Sequence, residues 1–126
     1  MRKITKLMND AEAALLQEYE IKGKKYQLVK HESVIEKSKV SAIAGFGAVV
    51  INLDLLPALA IYVHNHPEIV KALGKVIGEE SLFEQAKTTD KGTLAAQRLL
   101  KEKVIDASVA LKIMARTFKI EEDDNK

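Results

Sequence analysis

Residues Ser41–Val63, SAIAGFGAVVINLDLLPALAIYV, constrain this chain more than any other segment, because Asp54 is the one charged side chain in the run. A stretch of about 23 apolar residues is long enough to cross a bilayer. Three features oppose a simple span. Asn52 and Asp54 fall near the middle, and a charge at mid-bilayer costs at least about 2.5–3.5 kcal/mol. Pro57 follows closely. Asp54-Leu55-Leu56-Pro57 also reads as a helix start, with Asp54 as N-cap and proline tolerated in the first turn. The run then divides into two pieces of about a dozen residues, the length of buried core helices. The expectation is a helical hairpin folded back on itself away from lipid. A membrane-inserted segment over 41–63 is the alternative.

The first piece places Ala42, Ala44, Gly45, Gly47 and Ala48 within about one and a half turns. Small residues let helix backbones approach closely. Each glycine costs about 1 kcal/mol in a helix interior relative to alanine, which close packing would offset. The contact is either internal or a seam between copies, because a helix apolar on nearly all sides needs cover on nearly all sides.

The rest of the chain is ordinary globular sequence. Its 126 residues are 47% hydrophobic and 30% charged, which excludes disorder and collagen and fits a single domain, 1–126, with one core. The absence of cysteine rules out a disulfide scaffold, a thiolate zinc site and a cysteine nucleophile. With positive charge at Met1–Lys6 but no apolar region before Asp10 and Glu12, no secretory signal is read. A reducing cytoplasm is the expected compartment. The net charge of +2 permits an anionic partner without requiring one.

Along the chain, Ile4, Leu7, Met8, Ala11, Ala14 and Leu15 recur at helical spacing, giving an N-terminal helix within 1–16. The period then changes. Tyr19, Ile21, Tyr26 and Leu28 alternate with Glu20, Lys22, Lys25 and Gln27, predicting a β-hairpin over 19–29. Gly23 at the first loop position would make a type II′ turn, setting Lys22 opposite Lys25 and Tyr19 near Tyr26. From Glu32 only helices are read, a helical core over 33–119. They are Ser33–Leu53, one capped by Asp54, one capped by Asn65 with Pro67 near its start and Gly78 near its stop, and a short turn at Ser81–Lys87. After a loop at Thr88–Gly92 come Thr93–Lys103 and Asp106–Lys119, joined near Val104-Ile105. Residues 120–126 read as a frayed acidic tail. The fold class is therefore mainly α, a compact bundle of five to six helices with a small N-terminal hairpin.

Motifs for chemistry are sparse. His64-Asn65-His66 with Glu68 resembles a metal-ligand set, but residues two apart on a helix face different ways, and His31 is remote. A capping turn is the better reading. No serine has a Gly-x-Ser-x-Gly context. Gly45-Phe46-Gly47 lacks a third glycine and a preceding strand, and Gly74-Lys75 and Gly92-Thr93 lack phosphate-loop spacing. The paired acids at Glu79-Glu80 and Glu121–Asp124 sit at surface ends with nothing to raise a carboxyl pKa. No catalytic residue, cofactor, metal or small-molecule substrate is assigned.

A nucleic-acid reading rests on residues 94–119. The segment has a helix-turn-helix rhythm, and Arg98–Lys119 carries six basic side chains against two acidic ones. Against it, the turn lacks glycine and the second helix holds no Asn or Gln to read a base. Two packed antiparallel helices explain the same pattern.

Ile21-Lys22-Gly23-Lys24-Lys25-Tyr26 ahead of helices resembles the start of phage tail-assembly chaperones over about a dozen residues. Ser41–Val63 is similar in texture to membrane-associated helical hairpins. Neither resemblance assigns a role to a particular residue. By elimination, the expected function is a small non-enzymatic assembly or accessory protein of bacterial or phage type. It would bind a protein partner or its own copies through the helices around 41–63, with the membrane and DNA readings as alternatives.

Overall fold

The computed structural model describes residues 2–30 and 33–122, with side chains from Thr5 onward. Helix α1, Arg2–Leu16, buries Ala11, Ala14 and Leu15 and half-buries Leu7 and Met8, as the apolar spacing requires. The hairpin follows as β1, Glu18–Ile21, and β2, Lys24–Gln27.

Its register differs from the expectation by one residue at the turn. Lys22 and Gly23 are the loop, both with positive φ (52° and 82°), which is type I′ geometry rather than II′. Tyr19 does pair with Tyr26, but Glu20 faces Lys25, and Ile21 faces Lys24. Moving Lys22 into the turn replaces a like-charge cross-strand pair with an opposite-charge one. Tyr19 is buried and donates its hydroxyl hydrogen to the Ala14 carbonyl at 2.6 Å, tying the hairpin to α1. Burial also pushes the Tyr19 phenol pKa up.

The region after the hairpin corrects the helices-only expectation. Strands β3, Val29–Lys30, and β4, Val34–Glu36, pair antiparallel, Val29 with Ile35 and Lys30 with Val34. The β-branched Val29 and Ile35 suit a pleated, half-buried surface and are fully buried. Ser33 has φ 59°, so no helix begins there, and α2 runs over Lys37–Leu53 only. The expected hairpin thus ends at Gln27, and Val29 belongs to this second sheet. His31 and Glu32 lie outside the described residues.

The break at Asp54 stands as expected. Asp54 has φ 75°, α3 occupies Leu55–Asn65, and the Asp54 carboxylate accepts from the Leu55 N–H at 2.9 Å. Helix α4, Pro67–Ile77, is capped by His66 rather than Asn65, which is the last residue of α3. Pro67 takes the first helical position and left-handed Gly78 ends the helix. Within α4, a Cβ on Gly74 would collide with the Glu79 carbonyl oxygen, so this close turn admits only glycine.

Helix α5, Leu82–Asp90, is longer than the Ser81–Lys87 turn expected, and it absorbs Thr88–Asp90 from the expected loop. What remains of that loop is Lys91-Gly92, after which Thr93 caps the next helix by accepting from Ala96 N–H at 3.1 Å.

Helix α6, Leu94–Ala115, passes through Val104 and Ile105 without a break, where two helices were expected. Leu100, Val104, Ala107 and Leu111 are buried at helical spacing, and the segment contains no glycine or proline to interrupt it. The last described element is β5, Lys119–Glu121, which pairs parallel to β4: Val34 with Lys119, Ile35 with Ile120, Glu36 with Glu121. The acidic tail therefore begins as a strand. Asp123–Lys126, where its free end was expected, lie outside the described residues. One connected core runs from α1 through Phe46, Leu59 and Leu73 to α6.

Candidate functional site: the outer face of the α2–α3 hairpin

The two halves of the apolar run fold onto each other through one aromatic pair. Phe46 of α2 is fully buried and meets the Tyr62 ring of α3 edge-on, with centroids 5.0 Å apart at 83°. The Tyr62 hydroxyl donates to the Ala42 carbonyl at 2.6 Å, and burial raises its pKa.

The small residues serve these internal contacts. A Cβ on Gly45 would stand 3.8 Å from the Tyr62 hydroxyl, and one on Gly47 would stand 4.0 Å from Ser108 Oγ on α6. Asp54 at the end of α2 pairs with Lys101 of α6 at 3.1 Å. Gly47 to Asp54 and Ser108 to Lys101 are the same step in opposite senses, so α2 and α6 run antiparallel in that register. The Lys101 ammonium, then the Leu55 N–H, hold the Asp54 carboxyl below its ordinary range.

With Gly45 turned to α3, Gly47 to α6 and Phe46 inward, helical geometry leaves Ala44, Ala48 and Asn52 pointing outward. Ala48 and Asn52 are exposed and Ala44 half-buried. Ile51 is flanked by α6 in this register and is still 72% exposed. Ile61 of α3 is 41% exposed, and Val109 and Ile113 of α6 are 43% and 44% exposed. Exposed apolar side chains thus stand on three neighbouring helices, and from Ser41 to Val63 the one charge is the paired Asp54.

A polar cluster lies under the other end of the hairpin. Glu68, in the first turn of α4, is 2% exposed and forms an ion pair with Lys39 of α2. The α4 N-terminus favours a carboxylate there. His66 packs 5.5 Å from Tyr62, and its buried Nδ1 has no hydrogen-bond partner. Burial, then the Lys39 charge, lowers the His66 pKa, with Glu68 opposing. An acid just after Pro67 was the available sign of the first-turn position of Glu68. Nothing in the sequence marked Lys39 as its partner.

The remaining candidates are placed as follows. His64 is exposed on α3, while His66 belongs to the cluster just described. Among the described residues, no three or more His, Cys, Asp or Glu side chains are grouped to hold a metal ion. The basic residues of 94–119 are strung along one continuous helix, so the helix-turn-helix geometry is absent. Among the described residues, no helix is long and apolar enough to cross a membrane. A cleft of about 240 Å³ lies beside Asp54, Pro57, Arg98 and Lys101, and one of about 450 Å³ lies beside Tyr19, Lys71, Lys75 and Glu79. Neither includes His66, so the buried polar cluster and these open clefts do not coincide. Comparisons with protein-family models, with curated protein sequences and with solved structures return no match.

Proposed function

We propose that this chain is a non-enzymatic assembly or accessory protein that binds its own copies through the outer face of α2, α3 and α6. One observation carries the reading: Ile51, Ile61, Val109 and Ile113 stand 41–72% exposed on three neighbouring helices, and the α2–α3 part of that surface carries only the paired Asp54. Contiguous exposed apolar surface marks an interaction site. Ala44 and Ala48 at its centre allow a second helix to come close. At about 25 cal/mol per Å² of apolar area, covering such a face is a substantial driving force even after the cost of association.

Sedimentation of the protein without detergent tests the proposal. The native chain is expected as an oligomer of its 14.0 kDa protomer. Ala48→Glu and Ile51→Glu should each keep the fold and lower the mass of the oligomer by removing the association through this face. A monodisperse native monomer at high concentration would overturn the reading, and so would complete transfer of the protein to lipid vesicles.

A further inference from the structure

Among the described residues the three-stranded sheet has the order β3–β4–β5, so β5 is an edge strand there. All three of its residues are exposed. An open edge presents a row of unpaired backbone groups, and proteins ordinarily cover or blunt such edges.

The sequence of this edge is self-complementary. In an antiparallel pair of two copies centred on Ile120, Lys119 of one strand lies opposite Glu121 of the other, twice, and Ile120 lies opposite Ile120. The faces agree with that pairing. Ile120 is level with Ile35, so it shares the core-facing side of the sheet, where Ile35 is completely buried but Ile120 is 44% exposed. The core runs out at this edge. Lys119 and Glu121 lie on the other side, level with Val34 and Glu36. There Lys30 joins Glu36 at 3.2 Å and Glu121 at 3.6 Å.

We infer that β5 pairs antiparallel with β5 of a second copy about a two-fold axis through Ile120, joining two three-stranded sheets into one of six strands. The contact is isologous and therefore closes on itself. Main-chain hydrogen bonds supply the attraction, while the Ile120 pair and the two Lys119–Glu121 pairs fix the register. This inference takes from the helical-face reading only the identity of the partner, and it uses a separate surface.

Because the chain contains no cysteine, a single introduced one reports the contact cleanly. Directly opposed Cβ atoms lie about 4.5–5.5 Å apart across an antiparallel pair, close to disulfide reach. Under mild oxidation, Ile120→Cys should form a covalent dimer at least about tenfold faster than Leu16→Cys, a comparably exposed site at the end of α1. Adding Lys119→Glu should abolish that advantage, and adding Glu121→Lys as well should restore it, since the exchange leaves opposite charges facing each other. Circular dichroism confirms that each variant is folded. Equal rates for Ile120→Cys and Leu16→Cys would overturn the inference, as would a charge exchange that fails to restore cross-linking. Ile51→Glu in the Ile120→Cys background separates the two surfaces. Persistent cross-linking supports the edge contact whatever becomes of the helical face. Its loss would show that cross-linking came from the helical face and would refute edge pairing.

Discussion

The α2–α3 hairpin and the β5 arm of the β3–β4–β5 sheet corner are held by different means. The hairpin buries Phe46, Val50, Leu59 and Tyr62 and fixes its two arms with one edge-on ring pair and one hydroxyl bond. The sheet corner joins residues far apart in sequence through two- and three-residue strands, and its β5 arm is clasped by ion pairs of exposed side chains. Burial of apolar area is worth kcal/mol per side chain, whereas exposed ion pairs contribute about 0–1 kcal/mol. The hairpin arms are therefore the more firmly held, and the β5 arm of the corner is the more readily opened. A surface used for association suits the second condition, and a scaffold that presents such a surface suits the first.

The largest effect should come from the hairpin. Phe46→Ala removes a fully buried ring from between α2 and α3. It should lower the unfolding free energy by about 3–5 kcal/mol, read from the urea midpoint at constant m-value. A loss below about 1 kcal/mol would erase the contrast between the two regions.

The legibility of these regions in sequence divides along the same line. Asp54 and Pro57 announced the hairpin because a chain break is a local matter of capping and backbone restriction, and both acted where they stand. The sheet corner was invisible because β4 meets β5 across most of the chain, and three residues such as Lys119-Ile120-Glu121 are too few to show a period. Residues 94–115 misled for a related reason. A helix-turn-helix rhythm placed a join near Val104-Ile105, yet Val104 and Ala107 are each fully buried, and the core keeps the helix continuous. The apolar face was legible as composition, but its outward half became definable only once Gly45 and Gly47 were seen to face Tyr62 and Ser108. The Lys39–Glu68 pair and the unpartnered His66 nitrogen depend on side chains of different helices meeting in the fold, which no local pattern encodes.

That cluster gives the next effect, at the seam between the hairpin and α4. His66 has an ordinary pKa of 6.5 and is held lower in the fold. The unfolded chain then takes up the proton first. The His66 contribution is fully present above about pH 6.5 and is lost as the pH falls through that value toward the folded one. The slope is at most about 1.4 kcal/mol per pH unit for one proton. His66→Gln should flatten the decline between pH 6.5 and 5, measured by urea unfolding at each pH. Identical profiles for the two proteins would remove His66 from the acid response.

The smallest effect should come from the sheet corner. Glu122→Gln breaks the 3.4 Å pair with Lys37, whose side chains are 82% and 59% exposed. The expected loss of global stability is below about 0.5 kcal/mol, and it should vanish in 1 M salt, where the screening length falls to about 3 Å. Local opening should respond more than global unfolding, because an edge strand exchanges its amide hydrogens through small fluctuations. Hydrogen exchange should therefore quicken at Ile120 and stay unchanged at Phe46. Equal acceleration at both positions would mean that corner and hairpin open as one unit. In that case β5 could not pair with another copy without loosening the helices that carry the apolar face, and the two surfaces would have to work in sequence rather than together.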